Sequence, residues 1–372
     1  RYTANGMIPA PIAGNIYNSG NLQAGLSWAP DFFGKHSAEL ESALGQARAA
    51  KADSAAAANQ LAAQVARSYV ALARLIAQRD VAKRTLDQRQ SLLSLSEQRT
   101  RAGLDSQVEL TQAQAGMPDA QTQIEMLGEQ ITLARRTIAV LCAQAPDAQN
   151  ALSPRLAGLR IQPVPQTLGA DLLGRRPDVV AARLRAQALG SRIAQKKAEF
   201  YPNVNLSALV GVQSLGLDML AKGGSSVASF GPAISLPIFS GGRLQGELRG
   251  AHASYAEAVA QYNATVARAL QEVADNAISQ KALGQRLLKA QEAVDAATEA
   301  HRVVSNRYAG GLANYLEVLT AEDSLLGTLN AQTNLRAASI ALDVGLQRAL
   351  GGGYQVASTP ATAPATTLVS AP

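Results

Sequence analysis

The chain has 372 residues, 47% of them apolar, 17% charged and only 4% aromatic, with a net charge of +6 and one cysteine. So few aromatic side chains argue against a large compact core, and with abundant Ala, Gln, Arg and Leu they favour long helices packed through small residues. Basic residues dispersed among Glu and Asp argue against nucleic acid as a partner, a lone cysteine forms no internal disulfide, and no run of 18 apolar residues supplies a transmembrane helix.

Residues 1–20 hold Asn, Gly and Pro without period and read as the end of a strand followed by a long loop. Alternation then sets Leu22, Ala24, Leu26 and Trp28 against Asn21, Gln23, Gly25 and Ser27, a half-buried strand that ends at Pro30. Lys35 to about Gln98 is free of proline and helical, with Leu61, Val65, Tyr69, Leu72 and Ile76 on one face. Some 64 helical residues reach about 96 Å, too long for an ordinary globular domain, and point to a rod or the wall of a duct.

Gly103 is the predicted left-handed cap of that helix. A second helix, from about Asp105 to Cys142, contains Pro118, which is expected to kink or interrupt it. Cys142 itself reads as a small buried hydrophobe. Pro146, Pro154, Pro163 and Pro165 mark residues 144–167 as a linker. Pro177 and Asp178 open a helix to about Glu199, which Phe200-Tyr201-Pro202 stops.

Alternation resumes with Val204, Leu206, Ala208, Val210 and Val212 on one side, Leu209 being the exception on the other. After a loop over 214–228, a further strand is predicted to place Phe230, Ile234, Leu236 and Ile238 together. Gly242-Arg243 opens another long helix, to about Ser305, with Val266, Leu270, Val273 and Ala277 on its face. A last helix covers about Asn314 to Leu350, and the Gly, Ala, Thr and Pro tail from Gly351 reads as disordered.

The chain also repeats itself. Arg99-Thr-Arg-Ala-Gly-Leu-Asp-Ser-Gln-Val-Glu109 returns as Arg307-Tyr-Ala-Gly-Gly-Leu-Ala-Asn-Tyr-Leu-Glu317, every position offset by 208 residues. The same offset relates Gln64-Val65-Ala66 to Glu272-Val273-Ala274, and Gly34-Lys35 to Gly242-Arg243. Two internal repeats of an elongated unit are expected: 1–150 as an incomplete first copy, 151–167 as a linker, 168–350 as the second copy and 351–372 as the tail. Residue 1 corresponds to Leu209, so a further helix and most of a strand are expected upstream in a longer natural protein.

Each strand has one apolar and one polar face, and no second sheet is predicted to cover the apolar one. In a bilayer such strands persist only in a closed barrel, with lipid outside and water inside. Four strands per complete chain cannot close; two chains would give eight and three would give twelve. Trp28, Phe32, Phe33, Phe200, Tyr201 and Phe239 fall at strand–helix junctions, the same end of every strand, as a girdle at a membrane interface requires. A small aromatic cluster capping a helical bundle is the alternative. The fold class is therefore an α+β membrane protein, with long antiparallel helices and a few strands contributed to a shared transmembrane barrel.

These residues resemble a known family, the TolC/OprM-type outer-membrane efflux channels, including the lipoproteins of multidrug efflux systems. The resemblance rests on Trp28-Ala-Pro-Asp-Phe-Phe-Gly34, Gly174-Arg-Arg-Pro-Asp178, Phe200-Tyr-Pro-Asn203, Leu236-Pro-Ile-Phe239 with Gly241-Gly242-Arg243, both tip stretches, and Ala349-Leu-Gly-Gly-Gly-Tyr354. It implies a homotrimer with a twelve-stranded barrel in the outer membrane of a Gram-negative bacterium and a helical tunnel across the periplasm. It also implies docking to a periplasmic adaptor, or membrane fusion protein, bound to an inner-membrane pump. The docking tips would carry Arg99, Gly103, Leu104, Glu109, Arg307, Gly311 and Leu312, with Tyr308 and Glu317 at the pore gate. Where the family commonly has a second acidic position this chain has Thr320, with Glu322 and Asp323 beyond it. The family's lipidated N-terminal cysteine is absent from this sequence.

A soluble periplasmic coiled-coil adaptor or scaffold would explain the helices and tips but not the alternating segments. A type I secretion exit duct is a further alternative. No catalytic residue, cofactor or metal site is expected: His36, His252 and His301 stand singly on helical stretches, and no phosphate loop or nucleophile elbow is present.

Overall fold

The computed structural model describes residues 18–160, 175–215 and 220–354. Its elements are β1 (Ser19–Trp28), α1 (Lys35–Arg101), α2 (Gln107–Leu141), a 3₁₀ turn at Leu156–Gly158, α3 (Pro177–Ala198), β2 (Asn203–Leu215), β3 (Ser226–Ser235), α4 (Arg243–Ala309) and α5 (Tyr315–Ala349). The chain divides into two compact units. One takes residues 1–50 and 182–262, the other 51–181 and 263–372, and α1 and α4 contribute to both. Predicted features at residues 1–17, 161–174 and 355–372 lie outside the described residues, as does Gly174 of the Gly174-Arg-Arg-Pro-Asp178 motif.

The helix ends explain the helix lengths. The Asp31 carboxylate accepts the backbone N–H groups of His36 at 3.1 Å and Ser37 at 2.8 Å, satisfying two orphan donors at the start of α1. Gly103 ends α1 at φ 72°, where Leu104 N donates to Arg99 O at 2.9 Å and Gly103 N to Thr100 O at 3.0 Å. Gly311 ends α4 in the same way at φ 78°. Both turns have the paired bonds of a Schellman motif. Ser106 opens α2 and Asn314 opens α5, each in a reciprocal capping box with the Glu three residues on. Thus α1 and α4 each hold 67 residues, about 100 Å of helix at 1.5 Å per residue, and α2 and α5 each hold 35. Each pair begins and ends 208 positions apart.

In the second unit, Leu72, Leu75 and Ile76 of α1 pack on Leu127, Ile131 and Ile138 of α2. One step round the same helix, Val70 and Ala73 meet Leu156 and, from α5, Ala337 and Ile340. Ala113, Tyr308, Tyr315 and Val318, with Leu92, Leu93 and Leu95 of α1 packed against them, join all four long helices near the turns. Burial of each large aliphatic side chain here stabilises by roughly 1.5–3 kcal/mol.

The sheet has strand order β1-β2-β3, antiparallel throughout. Its register pairs Leu22 with Val212, Leu26 with Ala208 and Trp28 with Leu206, then Ala208 with Phe230 and Val204 with Ile234. The apolar residues of all three strands therefore share one face, and Leu209 stands between Gly25 and Ser229 on the other. That apolar face is open: Leu22, Leu26, Val210, Phe230 and Ile234 are all exposed, Phe230 by 79%. Among the described residues, β1 and β3 each have one edge without a partner strand.

Five local expectations are corrected. α2 runs unbroken across Pro118. Ala113 and Ala120 are buried on either side, so packing against neighbouring helices outweighs the one bond that Pro118 cannot donate to the Gln114 carbonyl. Cys142 is exposed, because it caps α2 beyond the last buried residues, Ile138 and Ala139. Leu270 of α4 is exposed by 52%, and Ala269 beside it is the buried residue. Leu61 of α1 is exposed too, while the buried stripe turns to Val70 and Ala73. β3 stops at Ser235, leaving Leu236 and Ile238 outside the strand next to Pro237, which has no N–H to donate to a ladder.

Candidate functional site

The two tip turns keep Arg, Gly, Leu and Glu at matching positions, and two of the positions at which they differ tie them together. Where α1 has Thr100, α4 has Tyr308; where the first turn has Asp105, the second has Ala313. The Tyr308 hydroxyl donates to Asp105 Oδ2 at 2.6 Å. Arg99 Nε donates to both Asp105 oxygens at 3.0 Å, and its Nη1 donates to the Tyr308 carbonyl at 2.8 Å. The Arg99 guanidinium also lies 4.7 Å from the centre of the Tyr308 ring, which meets Tyr315 edge-on at 6.1 Å.

The Arg99 and Asp105 side chains are only 10% and 7% exposed. Burial raises the Asp105 carboxyl, but the bonds from Arg99 and Tyr308 outweigh it and hold the group below its ordinary value. Burial first, and then the Asp105 carboxylate, push the Tyr308 phenol up to about 12. The phenol therefore keeps its proton at physiological pH and remains a donor.

Beneath this tie lies a second one. Arg89 of α1 reaches Glu322 of α5 at 3.0 Å, Asp119 of α2 at 3.3 Å and Asp323 at 3.5 Å. Arg89 and Glu322 are 7% and 1% exposed, whereas Asp119 and Asp323 face solvent. Arg89 thus joins three helices through one planar guanidinium, which a lysine could not do with the same geometry.

The sequence-predicted tip residues separate into two groups. Leu104 and Leu312 are exposed at the turns, and Arg307 is exposed with its Nη2 donating to Leu312 O at 2.9 Å. Glu109, half-buried, and Glu317, exposed, serve as the acidic members of the two capping boxes. Gly103 and Gly311 supply the positive φ of the turns. Arg99 and Tyr308, in contrast, are buried in the single chain, where Arg99 bonds Asp105 and the Tyr308 carbonyl.

Asp105, Arg89 and Glu322 went unassigned in the sequence reading. For Glu322 a signal existed: Tyr315, Val318, Glu322 and Leu325 recur at helical spacing, and a carboxylate on such a stripe requires a partner. For Asp105 the signal was its divergence from Ala313 in the repeated stretch.

Trp28, Phe32, Phe33, Phe200, Tyr201 and Phe239 are all at least partly exposed, and Phe33 stacks on Tyr201 at 4.9 Å. Among the described residues no cluster of His, Cys, Asp and Glu could hold a metal ion, and no helix is long and apolar enough to cross a membrane, which says nothing of a β-barrel.

Comparison with known proteins places this architecture. The chain is 42% identical over 252 residues to the fusaric acid resistance protein FusA of Burkholderia cepacia, covering 66% of this chain and 47% of FusA. It is 30% identical over 328 residues to the multidrug resistance outer membrane protein MdtP of Escherichia coli O6:H1, covering 88% of this chain and 67% of MdtP. The chain therefore spans about half to two thirds of these relatives. Among solved structures it resembles the outer membrane protein VceC of Vibrio cholerae, with a TM-score of 0.87 and 37% identity over 95% of this chain and 85% of VceC. The open-state MtrE outer membrane channel of Neisseria gonorrhoeae gives 0.83 and 26% over 94% of this chain and 79% of MtrE. A family profile described as outer membrane efflux protein matches residues 5–144 and 168–352, and with the helices, sheet and tips described above it assigns the chain to the outer membrane efflux protein family.

Proposed function

We propose that this chain is the exit duct of a tripartite efflux system, passing small molecules across the periplasm and outer membrane without chemistry of its own. It sits in the outer membrane of a Gram-negative bacterium, with its helices in the periplasm. The open apolar sheet face carries the reading. A three-stranded sheet with two free edges and Phe230, Ile234 and Leu22 exposed together is unstable in water, and lipid is the solvent that suits it. Closure by three copies into a twelve-stranded barrel removes the edges. Trp28, Phe32, Phe33, Phe200, Tyr201 and Phe239 then form the interfacial girdle.

The constant 208-residue offset of α1/α4 and α2/α5 supports two internal repeats, with copies at 1–150 and 168–350, a linker at 151–167 and a tail at 351–372. The exposed Leu104, Arg307 and Leu312, with the half-buried Glu109, at the turns Gly103 and Gly311 suit docking to the helical hairpins of a periplasmic adaptor, itself joined to an inner-membrane pump. Tyr308, through Asp105 and Arg99, latches one tip to the other, and Glu317 stands at the gate. Adaptor binding would open the duct by favouring the unlatched state.

Purified full-length protein in a planar bilayer tests the reading. A trimer that conducts, with Glu317→Gln altering cation preference while leaving helical content unchanged, is the expected result; Gln retains the capping box but not the charge. A water-soluble monomer that never conducts would overturn the channel.

A further inference from the structure

Three strand–helix junctions of the first unit meet around one cavity of about 420 Å³, a size within the range of small-ligand sites, about 300–1,000 Å³. Phe33 and Lys35 line it from the β1–α1 junction, Glu199 and Tyr201 from the α3–β2 junction, and Arg243 and Glu247 from the start of α4.

The carboxylates of this cavity are already matched. Asp31 accepts the backbone N–H groups of His36 and Ser37, one on each oxygen. Both Glu199 oxygens accept from Lys196 Nζ, at 3.1 and 3.2 Å. Glu247 accepts from Lys196 Nζ at 2.8 Å and from Arg243 Nη1 at 2.7 Å, and these bonds hold its carboxyl down to about 2. The cations are matched less fully. Among the described residues the half-buried Lys35 ammonium has no hydrogen-bond or ion-pair partner, and Arg243 engages Glu247 through Nη1 alone. Gly242 has no side chain to cap α4, so the first N–H groups of that helix add donors beside Arg243. The unused capacity of the ionised side chains is thus all donor, and an oxyanion is the group that matches it.

The cavity wall points to the source of that oxyanion. Phe32, Phe33 and Tyr201 line it and are exposed, with Phe33 stacked on Tyr201 at 4.9 Å. Lys35, Lys196 and Arg243 balance Asp31, Glu199 and Glu247 in charge, so the cavity suits a single phosphodiester rather than a polyanion drawn by net charge.

We propose that this cavity receives the phosphodiester of one phospholipid headgroup, held by Lys35 and Arg243, with its acyl chains against Phe32 and Phe33. The site rests on the outer-membrane reading above, in which these aromatics stand at the interface where lipid phosphates lie. A lipid held there joins the start of α1 to the start of α4 at one depth in the bilayer.

Native mass spectrometry of the purified full-length protein in detergent tests the site. Phosphatidylglycerol and a diacylglycerol with the same acyl chains are the probes. Wild type is expected to retain the phospholipid about tenfold more than the diacylglycerol, and Lys35→Gln combined with Arg243→Gln to lose most of that preference. Arg249→Gln, at an exposed position of α4 outside the cavity, is expected to keep it. Equal retention of the two lipids, or a double variant that binds as wild type does, overturns the site. An equal loss in Arg249→Gln also overturns it, because the attraction is then diffuse surface charge. Displacement by millimolar inorganic phosphate would make the free anion the ligand and remove the lipid. Should the double variant fail to assemble, Lys35→Gln alone decides by the same comparison. Bilayer conductance of the double variant is expected to match wild type. A conducting wild type without lipid preference refutes only the lipid site, whereas a water-soluble monomer refutes the channel and the site together.

Discussion

At the residue scale, one phenol, one guanidinium and one carboxylate join the two tips, and the proposed latch rests on them. Tyr308→Phe removes only the hydroxyl, leaves Asp105 with Arg99, and should loosen the tip by about 1 kcal/mol; more frequent opening in a bilayer is the readout. Asp105→Asn strands a buried guanidinium and should cost about 3 kcal/mol. The titrations bound the working range. The depressed Asp105 carboxyl contributes stability above its ordinary value, lost as pH falls through the lower folded-state value. The elevated Tyr308 phenol contributes below its ordinary value near 10, and that is lost as pH rises through about 12. Channel opening should therefore increase in strong acid and again above about pH 10. Flat conductance across the alkaline window would remove Tyr308 from the latch.

Ala143 offers a separate test. It caps α2 at φ 54°, in the bonding pattern that Gly351 provides for α5 at φ 98°. A Cβ in that conformation costs about 1–2 kcal/mol, so Ala143→Gly should raise stability by about 1 kcal/mol after glycine's own entropy is counted. Thermal unfolding followed by helical circular dichroism measures it, and an unchanged midpoint would mean the turn relaxes.

At the element scale, β1 and β2 approach more closely at one point than side chains permit. A Cβ on Gly211 would lie 2.7 Å from Gln23 Cα and closer still to the Leu22 carbonyl oxygen. Gly211→Val should destabilise the sheet by about 2 kcal/mol and reduce assembled trimer on a gel. The equivalent change at Gly231, where no atom lies within 4 Å of the added Cβ, should be milder. The same scale accounts for Arg176. It bonds Asp178, Glu272 and the Ala349 carbonyl at 2.8, 3.0 and 3.2 Å, and so ties the start of α3 to α4 and to the end of α5. Such a fork also explains why a buried arginine stands immediately before a helix-opening proline.

At the scale of the whole molecule, the decisive question is which solvent meets each sheet face. Val210→Arg on the apolar face should weaken membrane insertion by about 2–4 kcal/mol, while Gln23→Lys on the polar face should leave insertion intact and change only conductance. Equal penalties on both faces would make the sheet part of a water-soluble assembly. The predicted asymmetry follows from register alone, since adjacent residues on a strand point to opposite sides.

Much of this molecule is local and therefore legible in one dimension. Helix bounds follow from capping residues and glycine turns, strand faces from alternation, and the 208-residue offset from matching letters; each depends on neighbours a few positions away. Tyr308 as the partner of Arg99 and Asp105, and Glu322 as the partner of Arg89, could not be read in this way, because they lie far along the chain on other helices. Nor could the exposure of Cys142 and Leu270, or the continuity of α2 through Pro118. Periodicity shows that a helix has an apolar side, but burial of any one residue depends on which neighbouring helix covers it. Only the tertiary structure decided that, because removal from water is a property of the assembled helices and not of the segment.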